Sequence, residues 1–435
     1  MRFNLISMRI LWLSNSPCSS IERHGGKTIL GGWLTSLEKE VVRHHEIQLS
    51  IAYLSNEEEE PFTHNGVDYY PIFIGITSKF KTWRTIIQSR QSIESKERNA
   101  IPRIIKVAKS VKPDIIHVHG TEELWGKISE FVTDIPIVYS IQGLIAPIKE
   151  KLFAGIKRQN AKKHDGVIDY LLYSDTKSSY RSCTYRAARE IRYLQKADYI
   201  FGRTSWDENC TLALNPRRKY YVVNEILRDA FFQKNWIFKP YDNRRIRIVS
   251  TISGGIYKGL ETALHTAHIL YTYSQIDFEW HIVGCRENSK WCKMAQSEKQ
   301  LYVKDYPFVF HGRVDAVALS NILSESDIYV HVSHIENSPN SVGEAMLVGL
   351  PVIASFAGGT SSIVRDGVDG ILVQDGDPYV LAGSIVNLLN HPDLALRYSE
   401  NAKESALRRY CPKHVYQELL AGYNNILTDY YQPKH

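Results

Sequence analysis

Ser333-His334-Ile335-Glu336-Asn337-Ser338-Pro339-Asn340-Ser341-Val342-Gly343-Glu344-Ala345-Met346 is the stretch on which the reading of this chain turns. Ser338 followed by Pro339 predicts a helix N-cap with proline at the first helical position, so a helix begins here with free N–H groups. Such an end attracts phosphate. Glu336 stands two residues before that cap and Glu344 near the second turn, so two carboxylates can reach the space around one helix start. A carboxylate accepts two hydrogen bonds from a vicinal diol, which a ribose or a hexose offers. Two acids around one anion site make chemical sense if the bound molecule carries sugars at both ends of its phosphates.

Working outward, the second half of the chain reads as strand 246–252, glycine loop 253–259, helix 260–272, strands 278–283 and 308–311, helix 316–324, strand 327–332, helix 339–348 and strand 351–355. Strands alternating with helices across short loops predict a doubly wound α/β domain. The first half repeats the pattern. Met8-Arg9-Ile10-Leu11-Trp12-Leu13 is a strand, residues 14–32 a polar glycine-bearing loop, and 33–42 a helix with Trp33, Leu34, Leu37, Val41 and Val42 on one face. Further apolar runs at 47–53, 67–72, 114–119, 136–141 and 199–203 suit a buried parallel sheet. A helix over 101–111 stops at Lys112-Pro113, before Ile115-Ile116-His117-Val118. The polar, proline-containing break at 239–245 is the linker. The expected organisation is therefore an N-terminal domain over 8–240, a C-terminal domain over 241–411, and an aromatic-rich helix in 412–435 that packs back toward the first domain. Two such domains place the carboxyl ends of two parallel sheets across a cleft, where ligands bind.

Composition sets bounds on the function. The 435 residues are 43% hydrophobic and 23% charged, as in a soluble globular chain. Lys and Arg number 53 against 47 Asp and Glu, a net +6 that is too mild for coating nucleic acid. The excess is local. Residues 149–196 hold twelve Lys and Arg against five Asp and Glu, interleaved with Tyr170, Leu171, Leu172 and Tyr173. That stretch reads either as a solvated helical face or as a surface for anionic lipid. Six cysteines without a CxxC pair fit a reducing compartment and no zinc ribbon. No apolar run is long enough to cross a bilayer or form a signal-peptide core, so the expected location is the cytoplasm, at most peripheral to a membrane.

The Glu336 and Glu344 spacing, within its Pro-Asn-Ser helix start, resembles the signature of the retaining GT-B glycosyltransferases of family 4, the glycosyl transferases group 1. The resemblance continues through Gly349-Leu350-Pro351-Val352-Ile353-Ala354-Ser355, Gly358-Gly359 and Asp366-Gly367-Val368-Asp369-Gly370-Ile371-Leu372-Val373, and upstream through Pro113-Asp114-Ile115-Ile116-His117-Val118-His119-Gly120. It implies a GT-B fold and transfer of a hexose from a nucleotide diphosphate sugar to an acceptor hydroxyl with retention of configuration, in bacterial surface polysaccharide or glycolipid synthesis. The acceptor is expected to be a saccharide or a lipid-linked saccharide. In that family the second glutamate holds the nucleoside ribose and the first faces the donor sugar, which gives those roles to Glu344 and Glu336. The Asn340 and Ser341 N–H groups, with Ser338, would hold diphosphate, and Lys258 matches the lysine that neutralises it. A fixed cation plus a helix N-terminus can stabilise the leaving phosphate, so no metal or other cofactor is expected.

The sequence also departs from the family. Ser253 stands where arginine is usual, five residues before the lysine, and Arg203, Arg286 or Arg313 are the candidates to replace it; Arg313 is counted on the donor side. Gln142 replaces a frequent active-site histidine and can position a hydroxyl but cannot take a proton. Thr360-Ser361-Ser362 stands where a glutamate is common. His119, at the carboxyl end of its strand, is expected to line the cleft; it shares a face with His117, but no third metal ligand is spaced nearby. Gly31-Gly32, directly before the first helix, is the choice for close approach to diphosphate or acceptor, with Gly25-Gly26 the weaker one. Two other classes compete. A nucleotide-cofactor oxidoreductase would need a G-x-G-x-x-G turn with an acid about 20 residues on, which neither first strand has. A non-catalytic sugar-nucleotide-binding protein of the same fold fits the missing arginine and histidine.

Overall fold

Ile10, Leu11, Trp12 and Leu13 are all completely buried, because both faces of their strand are covered. Ile10 and Trp12 enter one apolar cluster with the first and last helices of the chain, while Leu11 and Leu13 enter another with the helix Ile93–Val111. Such double coverage is the mark of a parallel sheet between helical layers. The computed structural model describes residues 7–24, 32–74, 93–241 and 244–432.

The N-terminal sheet holds β1 (Met8–Ser14), β2 (Ile47–Ser55), β3 (Phe62–His64), β4 (Val67–Phe73), β5 (Ile115–His119), β6 (Ile137–Ser140), β7 (Tyr199–Gly202) and β8 (Lys219–Val222). Their order is β3-β4-β2-β1-β5-β6-β7-β8, parallel except for the β3–β4 hairpin. The C-terminal sheet holds β9 (Ile246–Thr251), β10 (Phe278–Val283), β11 (Phe308–Gly312), β12 (Ile328–His331), β13 (Val352–Phe356) and β14 (Ile371–Gln374), all parallel in the order β11-β10-β9-β12-β13-β14. In each sheet the first strand lies inside, and the chain crosses over it midway. The switch points are therefore β1/β5 and β9/β12.

The structure has elements that the sequence reading leaves out. β3 is short and turns through Asn65 and Gly66, both at positive φ. β8 is a half-exposed edge strand. The helices Lys290–Lys299, Pro378–Asn390 and Pro392–Arg409 were also not expected. The helix expected over 101–111 begins at Ile93 and runs through Pro102. Burial of Ala100, Ile101, Ile104 and Ala108 in the second cluster offsets the hydrogen bond that a proline removes.

The helix Pro412–Tyr431 lies on the N-terminal domain. Val415, Tyr416, Leu419, Tyr423 and Ile426 join the cluster of Trp12 and Phe201. The Tyr423 hydroxyl accepts from Trp12 Nε1 at 2.9 Å and lies 2.6 Å from His117 Nδ1. Part of the basic stretch 149–196 crosses the other way. Ile156 and Ala161 pack with Ile256 and Met294, Asn160 donates to Glu298 at 2.8 Å, and Lys290 reaches Asp165 at 2.8 Å. The two domains are thus joined by side chains as well as by the linker.

Candidate functional site

The loop after β9 places Lys258. Gly259 ends that loop at φ +77°, and a Cβ on it would collide with the Val332 carbonyl, so only glycine lets the loop lie against the end of β12. The loop after β12 brings Glu336 to the same point from the other side of the switch. Gly358 backs it, since a Cβ there would strike the Glu336 carbonyl, and Gly359 N–H donates to that carbonyl at 2.9 Å. The Gly358-Gly359 pair is therefore a cradle for the glutamate's backbone.

Lys258 Nζ donates to Glu336 Oε1, and His331 Nε2 lies 3.9 Å from the same oxygen. Burial alone would raise the Glu336 carboxyl; the Lys258 ammonium, with His331 behind it, outweighs that and holds it down at about 2. The ammonium is in turn raised by the carboxylate, against its own burial. Both groups are charged at neutral pH.

The helix Asn340–Val348 starts one residue later than the sequence reading has it. Pro339, extended at φ −69° and ψ 103°, is the cap and offers no side-chain bond. Ser338 is not the N-cap, because its hydroxyl donates to Glu225, a buried carboxylate of the N-terminal half. Val342 and Gly343 N–H groups donate to the Pro339 carbonyl at 3.0 and 3.4 Å. The Asn340 and Ser341 N–H groups have no partner among the described residues, and neither has the buried Asn340 Oδ1. An anion-seeking helix end is therefore left open a few residues beyond Glu336 in the same loop.

Glu344 is buried one turn along that helix, and its Oε1 accepts from Arg228 Nε at 3.0 Å and Nη2 at 2.6 Å. Burial raises its carboxyl, while Arg228 pulls it back. Arg228 also touches the first loop, since a Cβ on Gly32 would come within 2.7 Å of its Cδ. Gly31 and Gly25-Gly26 lie outside the described residues. Sequence reasoning missed Arg228, which lies between the strands and the linker in no recognisable motif.

The arginines proposed to replace the one missing at Ser253 are placed differently. Arg203 is buried, 3.4 Å from Glu225 and stacked 4.1 Å over Trp33. Arg286 and Arg313 are exposed beside Gly312 and beyond it, with no ion pair among the described residues, and Ser253 itself is exposed. Gln142 stands at the seam between domains, where its carbonyl accepts from Asn337 Nδ2 at 3.4 Å. Asn337 Oδ1 accepts from Thr204 at 2.7 Å. His119 does not line the cleft as expected. It is fully buried, 3.8 Å from the His117 ring and 4.5 Å from Trp12, with both nitrogens unpartnered, and burial keeps it neutral. The aromatic packing that fills that face of β5 has closed over it. Both His117 nitrogens are engaged, by Tyr423 and by Ser140 at 2.6 Å each.

Residues 244–391 match the family described as glycosyl transferases group 1. Among curated proteins, the chain is 27% identical over 156 residues to N-acetyl-alpha-D-glucosaminyl L-malate synthase of Bacillus anthracis, covering 36% of this chain and 40% of that protein. It is 33% identical over 120 residues to a GDP-mannose-dependent alpha-mannosyltransferase of Mycolicibacterium smegmatis, covering 27% and 31%. These matches span well under two thirds of the relatives' lengths. Among solved structures, sucrose-phosphate synthase of Thermosynechococcus elongatus superposes with a TM-score of 0.71 at 14% identity, over 97% of this chain and all of that one. Anabaena HepE in complex with UDP and glucose gives 0.63 at 15% identity, over 95% and 98%. The two-domain architecture is therefore that of the GT-B proteins.

Proposed function

We propose that this chain, a member of the glycosyl transferases group 1 family through its residues 244–391, transfers a hexose from a nucleoside diphosphate sugar to an acceptor hydroxyl with retention of configuration. The observation that carries the reading is the Lys258–Glu336 pair together with the two open N–H groups of Asn340 and Ser341, a few residues beyond Glu336. A diphosphate entering there meets a fixed cation and a helix N-terminus, the two elements that stabilise charge growing on a leaving group. It competes with Glu336 for Lys258. The glutamate is then free to face the donor sugar, and Glu344 offers a buried carboxylate to the ribose diol. The reading takes attack on the face the diphosphate leaves, with a departing phosphate oxygen taking the acceptor proton and Glu336 facing the sugar.

The acceptor side is read from the basic stretch. Val167, Ile168, Tyr170, Leu171 and Tyr173 are exposed, the first two by 77% and 70%. Lys157, Arg158, Lys162, Lys163 and Lys177 are exposed around them, whereas Asp165 and Asp169 are held by Lys290 and Asp175 caps a helix. Exposed apolar side chains with exposed cations before and after them in the chain suit an anionic membrane face, each cation adding on the order of 1 kcal/mol. This fits a lipid-linked saccharide acceptor and glycolipid or surface polysaccharide synthesis at the cytoplasmic face. Among the described residues, no helix is long and apolar enough to cross a membrane. Co-sedimentation with anionic vesicles at low salt, lost at high salt or on neutral vesicles, is the expected result; indifference to lipid charge would remove the membrane from the reading.

The transfer reading is tested with a panel of nucleoside diphosphates and nucleotide sugars. One base should raise the melting temperature, since a ligand at 100 times its dissociation constant adds about 2.7 kcal/mol. The matching sugar nucleotide should be turned over, with activity surviving a chelator. Stabilisation without hydrolysis or transfer would make this a binding protein, and metal-reversible loss with EDTA would replace the lysine and helix end with an ion.

A further inference from the structure

We infer that the tip of the N-terminal sheet carries a second ligand site, in which the Glu122 carboxyl hydrogen-bonds a hydroxyl of a neutral sugar or polyol. The site lies at the β1/β5 switch, and crevices at the carboxyl ends of strands around such a point are where open α/β sheets bind ligands. Asn15 follows β1, Gly120 to Glu122 follow β5, and Gln142-Gly143 follow β6. The Glu122 carboxyl lies among all three. A Cβ on Gly120, which sits at φ +91°, would collide with its Oε2 and come within 3.4 Å of Asn15 Nδ2; one on Gly143 would lie 3.5 Å from Oε1.

The surroundings are fixed. The Glu122 carbonyl accepts from Arg186 Nε at 2.9 Å and Arg189 Nη2 at 2.8 Å, and Arg189 is locked by Glu97 at 2.8 Å. Asn15 accepts from Trp125 Nε1 at 2.7 Å. Neighbouring Glu190 is satisfied by Thr121 Oγ1 at 2.5 Å and Ala146 N–H at 3.0 Å. The Glu122 carboxyl has no comparable side-chain partner. Its Oε2 is buried without a partner and no ion pair is formed with it among the described residues, while the residue as a whole keeps some exposure. Burial pushes its carboxyl up to about 7, against its own backbone N–H and Arg186, with the Glu190 charge adding to the rise. A buried acceptor left unmet in a native protein calls for an explanation, and here the partly exposed residue at a sheet end supplies one in a ligand.

The ligand's chemistry follows from the charges. A protonated carboxyl donates from one oxygen and accepts at the other, the complement of an alcohol. A phosphate or carboxylate on the ligand would instead face Glu122 and Glu190, while Arg186 and Arg189 are turned to Glu123, Glu97 and the Glu122 carbonyl. Gly143 adjoins Gln142, whose carbonyl touches Asn337, the neighbour of Glu336. A hydroxyl compound held by Glu122 therefore lies beside the interdomain seam, as an acceptor would; this assignment rests on the transfer reading above, while the binding site itself does not.

Saturation-transfer NMR on the full chain, with UDP or GDP present, tests it using methyl α-D-glucoside, N-acetylglucosamine and myo-inositol against their monophosphates. The parent should bind at least one neutral probe and prefer it to its phosphate. Glu122→Met should weaken that binding at least tenfold, and Glu122→Gln, which keeps a donor and an acceptor, should stay within about threefold of the parent. Binding unchanged in Glu122→Met, Glu122→Gln as weak as Glu122→Met, preference for the phosphates, or no probe bound by the parent would each overturn the proposal. Thermal stabilisation by the nucleoside diphosphate, expected to be equal in all three proteins, is the separate readout. Its absence in the parent would sink the donor reading and leave the polyol result to stand or fall alone.

Discussion

Glu336 and Glu122 stand at equivalent places in the two domains, each just beyond the switch point of a parallel sheet, and burial pushes both carboxyls upward. They end far apart. Glu336 has Lys258 on one of its oxygens and is held at about 2, whereas Glu122 has no ion pair among the described residues, only Arg186 nearby, and rises to about 7. The lesson is that desolvation sets the stakes at a sheet end and a single ammonium decides the outcome. One switch point is built to hold permanent charge, as a diphosphate site needs. The other holds a group near neutrality, as a site for an uncharged hydroxyl needs.

The largest effect expected is on the cation that makes this difference. In Lys258→Met the Glu336 carboxyl loses its partner and should climb toward the Glu122 value, a shift that carbon NMR of labelled glutamate reads directly. Turnover should fall about 10²- to 10³-fold, because a preorganised charge on the leaving group is lost. The fall should exceed the loss of donor affinity, since that charge grows toward the transition state. A Glu336 carboxyl still near 2 would break the comparison, and equal losses in turnover and affinity would reduce Lys258 to ground-state binding.

The second effect is on stability, and its sign is opposite at the two ends. Glu122 has a folded value above the roughly 4.3 of an unfolded glutamate, so its contribution is complete below that value and is lost as pH rises through about 7. Glu336 has a folded value below 4.3, so its contribution is complete above it and is lost as pH falls through about 2. Glu122→Gln removes only the first. Between pH 5 and 8 the parent should lose on the order of 3 kcal/mol relative to this variant, read as the difference between their urea midpoints. Parallel curves would show that the Glu122 carboxyl ionises normally in the folded protein.

The asymmetry between the two ends also governs what could be read from the sequence. Glu336 and Glu344 sit in a short glycine- and proline-marked stretch whose spacing follows from a loop running into a helix, so their convergence was legible, while Lys258, in the separate loop 253–259, was placed by the family resemblance. The alternating strands were legible too, since Ile10 to Leu13 and Ile246 to Val249 are apolar runs that only a covered sheet explains. Glu122 and Arg228 carry no such signal. Each is placed by partners far along the chain, Glu122 by Arg186, Arg189 and Gly143, and Arg228 by Glu344 and Gly32. His119 misled for a related reason. Its position at a strand end was right, but the packing of Trp12, Trp33 and His117 around it is a property of three separate segments. The three helices Lys290–Lys299, Pro378–Asn390 and Pro392–Arg409 escaped because they carry no chemistry that would draw the eye, and the first and last are polar overall with a narrow apolar face.

Glu344 is the intermediate case, and it sharpens the comparison with the smallest effects. Its carboxyl is buried like the other two and has a cation, yet its net direction is upward. The partners are the difference: Glu336 has both Lys258 and His331 set against its burial, whereas Glu344 has Arg228 alone, which offsets burial without overcoming it. Glu344→Ala should weaken nucleoside diphosphate binding by about 1.5 to 3 kcal/mol, the worth of a charge-assisted hydrogen bond to the ribose. Arg228→Met should cost less, about 1 kcal/mol or below, because it leaves the carboxyl in place and removes only what orients it. The double variant should bind no more weakly than Glu344→Ala alone, since a guanidinium that acts through the carboxylate has nothing left to act on. Calorimetry with the preferred nucleoside diphosphate decides between the outcomes. Additive losses would mean that Arg228 touches the nucleotide itself, in which case it, and not Arg203, Arg286 or Arg313, supplies the cation missing at Ser253.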